Sequence, residues 1–165
     1  MDEAHMLGRG KHLDKFGYET VNTIMKRHLE RICKIAEKYN YELMIWSDMF
    51  FRMTNSAHEY YDYASPFPAG LKQEIDTDTQ LVYWDYYHAN KASYQGMMKL
   101  HKQISPKLCF AGGIWTWRGF APYNEYTELT MFPALEAAIE EGATDVSFTM
   151  WGDNGGECSP FAVLP

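Results

Sequence analysis

The sequence predicts an α/β fold in which helices cover a parallel β-sheet, as in about half of a (β/α)8 barrel. Four short apolar runs alternate with helix-like segments, a pattern typical of parallel sheets. Each run ends in tryptophan, tyrosine and acidic residues, and all five tryptophans lie at or just past the end of a run. In β/α barrels the reacting residues occupy the C-terminal ends of the strands. The 165 residues fit one domain, which we expect to span residues 1–165.

The first third of the chain is predicted to hold a loop, a helix and a strand. Residues 4–19 are glycine-rich with scattered charge, which indicates a loop. Apolar residues at helical spacing predict a helix from about Thr20 to Tyr39, with Thr20 as the N-cap. A short buried strand is expected at Glu42–Ser47. The stretch Met49–Thr79 exceeds normal loop lengths, so we expect a functional loop containing a helical turn or two.

The remaining elements continue the alternation of strands and helices. In chain order they are predicted as strand Gln80–Asp85, helix Ala89–Ile104, strand Leu108–Gly113, helix Asn124–Glu141 and strand Asp145–Met150. Pro133 predicts a kink in the second of these helices, and Gly142 predicts its C-cap. A glycine-rich turn is expected at Gly152–Gly156.

Four strands are half of an eight-stranded barrel, which usually needs about 250 residues. The chain begins where a strand is expected to end, and no helix is predicted after the last strand. We therefore expect a fragment of a barrel, or a half that completes itself by association. In either case the outermost strands would expose unpaired edges, which proteins normally protect.

The composition indicates a globular protein and excludes several classes. With 46% hydrophobic and 22% charged residues the chain can build a core, and its fifteen Lys and Arg residues are too dispersed for a nucleic-acid footprint. No run of eighteen apolar residues exists, so no membrane partner is expected. Three cysteines without CxxC spacing argue against a disulfide scaffold or zinc site. The N-terminus lacks a charged-then-apolar signal, which favours a reducing, cytoplasmic location, with an export signal on a missing N-terminal segment as the alternative. No cofactor is implied.

Stacked aromatic rings with acidic side chains between them form a pocket suited to a sugar ring. Four segments of the sequence resemble those of a known protein family. They read MDEAHMLGRGKHLDKFGY, IWSDMFFR, YWDYYH and TMWGDNGGE. In this order and spacing they resemble the ends of the fourth, fifth, sixth and eighth barrel strands of glycoside hydrolase family 20, the β-N-acetylhexosaminidases. The resemblance covers nearly the whole chain. It implies a TIM barrel of which this chain is about the second half, from the end of strand 4 to strand 8.

The resemblance implies removal of terminal β-linked N-acetylhexosamine with retention and without an enzyme nucleophile. The substrate's acetamido oxygen attacks the anomeric carbon instead. Glu3 would be the protonated acid that donates to the leaving oxygen and then acts as base toward water. Asp2 would be ionised, hold the acetamido N–H and stabilise the oxazolinium ion. Because adjacent acids on an extended strand point to opposite sides, a bend must bring both to one substrate.

The resemblance also assigns an aromatic pocket around the acetamido group and the apolar face of the sugar. Trp46, Trp84 and Trp151 match it, with core packing as the alternative for each. Trp115 and Trp117 alternate along a strand end, so both should face the same way, and Trp117 is the favoured pocket wall.

The polar contacts to the sugar depart in part from the family pattern. WTWRGF lacks the plain tyrosine and aspartate of the seventh strand, so Tyr86 and Tyr87 are the candidates that bond the acetamido oxygen. Asp153 stands where the commoner pattern has glutamate, and should accept hydrogen bonds from the 4- and 6-hydroxyls; Glu157 is a second candidate. Asp48 and Asp85 are expected to order loops rather than touch the sugar.

Other interpretations of the same residues are weaker. Asp2-Glu3-Ala4-His5 spells a helicase box, but the phosphate loop that a helicase needs is not found in the sequence. His5 and His12 show no metal-ligand spacing, and His5 is expected to steady Glu3.

The expected partners are a sugar substrate and a second half-barrel. The second half is either the missing N-terminal half, which by the resemblance would supply the family's sugar-clamping arginine, or a second copy of the chain. Two alternative functions stay open. One is a half-barrel that binds N-acetylhexosamine without turnover, and the other is a structural fragment that self-associates.

Overall fold

The computed structural model describes residues 3–52, 59–64, 79–153, 159 and 161. Within them the chain forms, in order, α1 Lys11–Phe16, α2 Val21–Lys38, β1 Met44–Trp46, α3 Asp48–Arg52, β2 Gln80–Trp84, α4 Lys91–Ile104, β3 Leu108–Gly113, α5 Asn124–Glu141 and β4 Asp145–Thr149.

The four strands form one all-parallel sheet in the order β1-β2-β3-β4. Consecutive strands are therefore neighbours, and a helix lies between β2 and β3 and between β3 and β4. The predicted α/β class with a parallel sheet is confirmed. Within the described ranges β1 and β4 each pair with one strand, so each presents an edge.

Local sequence signals explain where the long helices begin and end. The Thr20 hydroxyl caps α2 by accepting from the Thr23 amide at 3.2 Å, as predicted. The Asn90 side chain caps α4 in the same way, accepting from the Ser93 amide at 2.9 Å. Gly142 ends α5 in the left-handed conformation at φ 67°, which glycine adopts without a steric penalty.

Alternation along the strands divides the sheet into two faces. Leu81, Tyr83, Leu108 and Phe110 belong to the main core, in which helices α2, α4 and α5 pack on the sheet. The residues between them face the other side, where Val82 forms a smaller cluster with Cys109, Ala111 and two tryptophans.

The predicted loop before α2 is partly helical, because α1 occupies residues 11–16. This short helix buries no residue, so the sequence carries no apolar stripe from which to predict it. The helical turn expected inside Met49–Thr79 is seen as α3, which begins at Asp48; residues 53–58 and 65–78 lie outside the described part. Most of the glycine-rich turn also lies outside it.

No helix in the described part of the chain is both long and apolar enough to cross a membrane.

Candidate active site

One open cleft of about 310 Å³ lies at the end of the sheet where the parallel strands finish. Trp46 and Trp84 are the last residues of β1 and β2, and the other lining residues follow a strand or, for Glu3, come from the N-terminal segment. The lining consists of Glu3, Trp46, Trp84, Tyr86, Tyr87, Trp117, Trp151 and Asp153.

Every predicted site residue that the structure describes therefore lies around this one cleft. Asp2, the predicted partner of Glu3, falls outside the described residues, as does Glu157. The geometry brings the predicted residues together, while the role of each remains a prediction.

Tyr86 is the centre of the aromatic wall. Its ring stacks on Trp84 with centroids 5.5 Å apart and meets the edge of Trp117 at 5.4 Å. The Trp151 indole N–H donates to the Tyr86 hydroxyl at 3.3 Å. Gly113 permits this packing, because a Cβ there would come within 2.6 Å of Trp117 Cη2 and 2.7 Å of Tyr86 Cδ1. Three of the strand ends thus contribute to one continuous aromatic surface.

The expectation that Trp115 and Trp117 face the same way is wrong. Trp117 lines the cleft, whereas Trp115 is 2% exposed, stacks behind it at 4.7 Å and donates its indole N–H to the Tyr86 carbonyl at 3.0 Å. The strand ends at Gly113, and a tight turn in which the Thr116 amide donates to the Ile114 carbonyl follows. Strand alternation does not extend through that turn.

Asp85 orders the loop that carries the two cleft tyrosines. Its carboxylate is 1% exposed and accepts from the Tyr83 hydroxyl at 2.7 Å, the Tyr87 amide at 3.0 Å and His88 Nδ1 at 2.7 Å. The hydrogen bond from Asp85 raises the pKa of His88, against the effect of partial burial, which lowers it. These contacts agree with the expectation that Asp85 orders a loop. Asp48 is also buried, and its carboxylate accepts a hydrogen bond from the Glu3 amide at 3.4 Å.

Glu3 is fixed by contacts from several segments. Its φ of 47° lies in the left-handed region, which is uncommon for a residue with a Cβ and provides a backbone bend at the position where one was expected. The Tyr60 hydroxyl donates to Glu3 Oε1 at 3.0 Å and lies 3.2 Å from His5 Nε2. His5 therefore reaches Glu3 through a tyrosine that the sequence did not indicate, since 57 residues separate Tyr60 from Glu3.

The charge and donor pattern of the cleft suits a neutral or cationic ligand. The titratable carboxyl groups among its described lining residues are those of Glu3 and Asp153, and no basic side chain is among those residues. The Trp84 indole N–H is buried without an acceptor among the residues that the structure describes, so a ligand oxygen could satisfy it.

The described residues hold no group of three or more histidine, cysteine or acidic side chains placed to bind a metal ion. His12, weighed as a ligand in the sequence, instead contacts Glu19 at 2.8 Å. No protein-family model matches the chain, and no curated protein matches it.

Proposed function

We propose that this chain is the second half of a family 20 β-N-acetylhexosaminidase barrel, which removes terminal β-linked N-acetylglucosamine or N-acetylgalactosamine from oligosaccharides. The observation that supports it best is the composition of the cleft: a carboxyl group, four tryptophans, two tyrosines and a second acid meet at the C-terminal ends of parallel strands. Active sites of β/α barrels lie at that end.

The proposed chemistry uses two carboxyl groups and the substrate itself. Glu3 gives its proton to the glycosidic oxygen as the bond from that oxygen to the anomeric carbon breaks. The acetamido carbonyl oxygen forms the new bond to the anomeric carbon, so a cyclic oxazolinium ion replaces a covalent enzyme intermediate. The Asp2 carboxylate stabilises its positive charge. Water then attacks the anomeric carbon and gives a proton to Glu3, while the bond from the acetamido oxygen to that carbon breaks.

The aromatic wall supplies affinity and shape. Aromatic rings bury the apolar face of a pyranose, while a few placed polar groups fix its orientation, a division of labour typical of small-molecule sites. Tyr86 contacts both Trp84 and Trp117 in the wall, and Asp153 also lines the cleft. In this proposal Tyr86 or Tyr87 bonds the acetamido oxygen and Asp153 accepts from the 4- and 6-hydroxyls.

Among the described residues β1 and β4 each pair with one strand, which is consistent with a sheet that continues into further strands. Val146 and Phe148 of β4 are 44% and 39% exposed, although hydrophobic side chains of a closed barrel are normally covered. We propose that either an N-terminal half-barrel or a second copy of the chain pairs with these edges.

The test is release of nitrophenol from an aryl β-N-acetylglucosaminide by the wild-type chain and by Glu3→Gln and Asp2→Asn. Loss of general acid catalysis should lower kcat/KM by about 10² to 10⁴. Glu128→Gln, an exposed change on α5, is the matched control and should retain full rate. The same assay on a longer protein containing both halves, and the solution mass of this chain, identify the partner.

A folded chain that binds N-acetylglucosamine but never turns over, alone or joined to the first half, would support the binding-only alternative. A chain that neither binds nor hydrolyses the sugar contradicts the proposal.

A further inference from the structure

We propose that Tyr60 is a positioning residue for Glu3: its hydroxyl links His5 to Glu3 Oε1 and thereby leaves Oε2 to carry the proton used in catalysis. This inference rests on the proposed function for its catalytic consequence. The hydrogen-bond arrangement itself can be tested without turnover.

The direction of each hydrogen bond follows from the chemistry of the three groups. Ionised Glu3 only accepts, so the single hydroxyl hydrogen of Tyr60 goes to Glu3 Oε1 at 3.0 Å; in the acid form Oε1 accepts the same hydrogen as the carbonyl oxygen, and the other oxygen carries the proton. The Tyr60 oxygen then acts as acceptor toward His5 Nε2 at 3.2 Å, which must carry a hydrogen. Both the neutral tautomer protonated at Nε2 and the imidazolium satisfy this condition.

The Tyr60 ring is held in place independently of Glu3. Its centroid lies 5.4 Å from that of Trp84, which itself lines the cleft, and the Arg52 guanidinium lies over the ring at 4.6 Å. Burial, with the hydrogen bond to Glu3 as the next cause, raises the pKa of Tyr60 to about 12. The hydroxyl therefore stays protonated, and remains a donor, throughout the range in which a glycosidase works.

The arrangement makes the two oxygens of Glu3 unequal. Because Oε1 is occupied as an acceptor, the acid proton resides on Oε2 and passes from there to the glycosidic oxygen as the C–O bond breaks. The departing proton leaves a carboxylate, to which the tyrosine bond is stronger than to the neutral acid. Tyr60 thus favours the state formed by proton donation, and it accelerates departure of the leaving group.

Other charged or titratable groups lie around Glu3 and Tyr60, and they must stay constant in a test. They are His5, Asp48, Arg52, Tyr87 and Asp153. Tyr60→Phe retains all of them and the aromatic ring, so a difference from the wild type isolates the hydroxyl.

The deciding experiment compares the ¹³C NMR signal of the Glu3 side-chain carboxyl, assigned with Glu3→Gln, between the wild type and Tyr60→Phe at one pH. In Tyr60→Phe this signal should move, because the hydrogen bond from the Tyr60 hydroxyl to Oε1 has been removed. Tyr63→Phe is the control: its ring lies against Gly96, and the loss of its hydroxyl should leave the Glu3 signal in place. An unmoved Glu3 signal in Tyr60→Phe, in a folded protein, overturns the inference.

The hydrolysis rates of two glycosides with different leaving groups also distinguish a positioning role from a merely structural one. General acid assistance matters most for poor leaving groups, so Tyr60→Phe should slow the phenyl glycoside about tenfold and the dinitrophenyl glycoside far less. Equal losses on both substrates count against a positioning role. If the wild type hydrolyses neither, the proposed function fails, while the NMR signal of the Glu3 carboxyl still decides whether Tyr60 acts on Glu3.

Discussion

The buried His101 is expected to make the fold sensitive to acid. Its side chain is fully buried on α4, where Nδ1 lies 2.7 Å from the Met97 carbonyl and Nε2 lies 2.7 Å from the Ser47 hydroxyl. The rings of Phe51 and Tyr83 pack against it at 4.4 and 4.8 Å. Burial lowers the pKa of His101 from 6.5 to about 4, although the Met97 carbonyl acts in the opposite direction.

The sign and size of the effect follow from proton linkage. Between pH 6.5 and 4 the unfolded chain binds a proton at His101 that the folded chain does not, so stability falls as the pH falls. The full separation corresponds to about 3 kcal/mol at 1.36 kcal/mol per pH unit. We expect about 2 kcal/mol of this to be lost between pH 7 and pH 4.5.

The assay is urea unfolding of the wild type and of His101→Gln at a series of pH values. His101→Gln will be less stable at pH 7, but its unfolding free energy should fall by about 2 kcal/mol less between pH 7 and 4.5 than that of the wild type. His28→Gln, at an exposed position on α2, should leave the pH dependence unchanged. Parallel curves for the wild type and His101→Gln would refute the reasoning.

Two substitutions test the walls of the cleft. Gly113→Ala places a methyl group within 2.6 Å of Trp117, so the aromatic wall must shift. We expect N-acetylglucosamine to bind roughly tenfold more weakly, as measured by tryptophan fluorescence. Gly119→Ala, whose added methyl group faces open space, is the control and should bind the sugar as the wild type does. Unaltered affinity in Gly113→Ala would show that the wall does not bind the sugar. Asp85→Asn replaces one of the two carboxylate oxygens that contact Tyr83, Tyr87 and His88 with an NH2 donor, so one side of the network loses its acceptor. The free energy of unfolding in urea should fall by about 2 kcal/mol, and a change below about 0.5 kcal/mol contradicts the buried network.

Local signals in the sequence were sufficient for most secondary structure. The predicted bounds of β3 and α5 are those of the structure, because a continuous apolar run defines the first and Gly142 terminates the second. α1 was not predicted, since a helix without a buried face has no apolar period. The gathering of strand-end aromatics was also predictable, because parallel strands finish at the same end of a sheet.

What the sequence determined by itself is the α/β class, the parallel sheet and which side chains meet at its C-terminal end. The first two follow from local periodicity and from the alternation of strands and helices, and the third from the common end at which parallel strands finish. The packing of Trp115 behind Trp117 and the hydrogen bond from Tyr60 to Glu3 are seen in the tertiary structure alone. A turn after Gly113 ends the alternation, and a loop far along the chain brings the tyrosine to the acid. Contacts of that kind depend on how distant segments fold back in space, and residue spacing does not encode them.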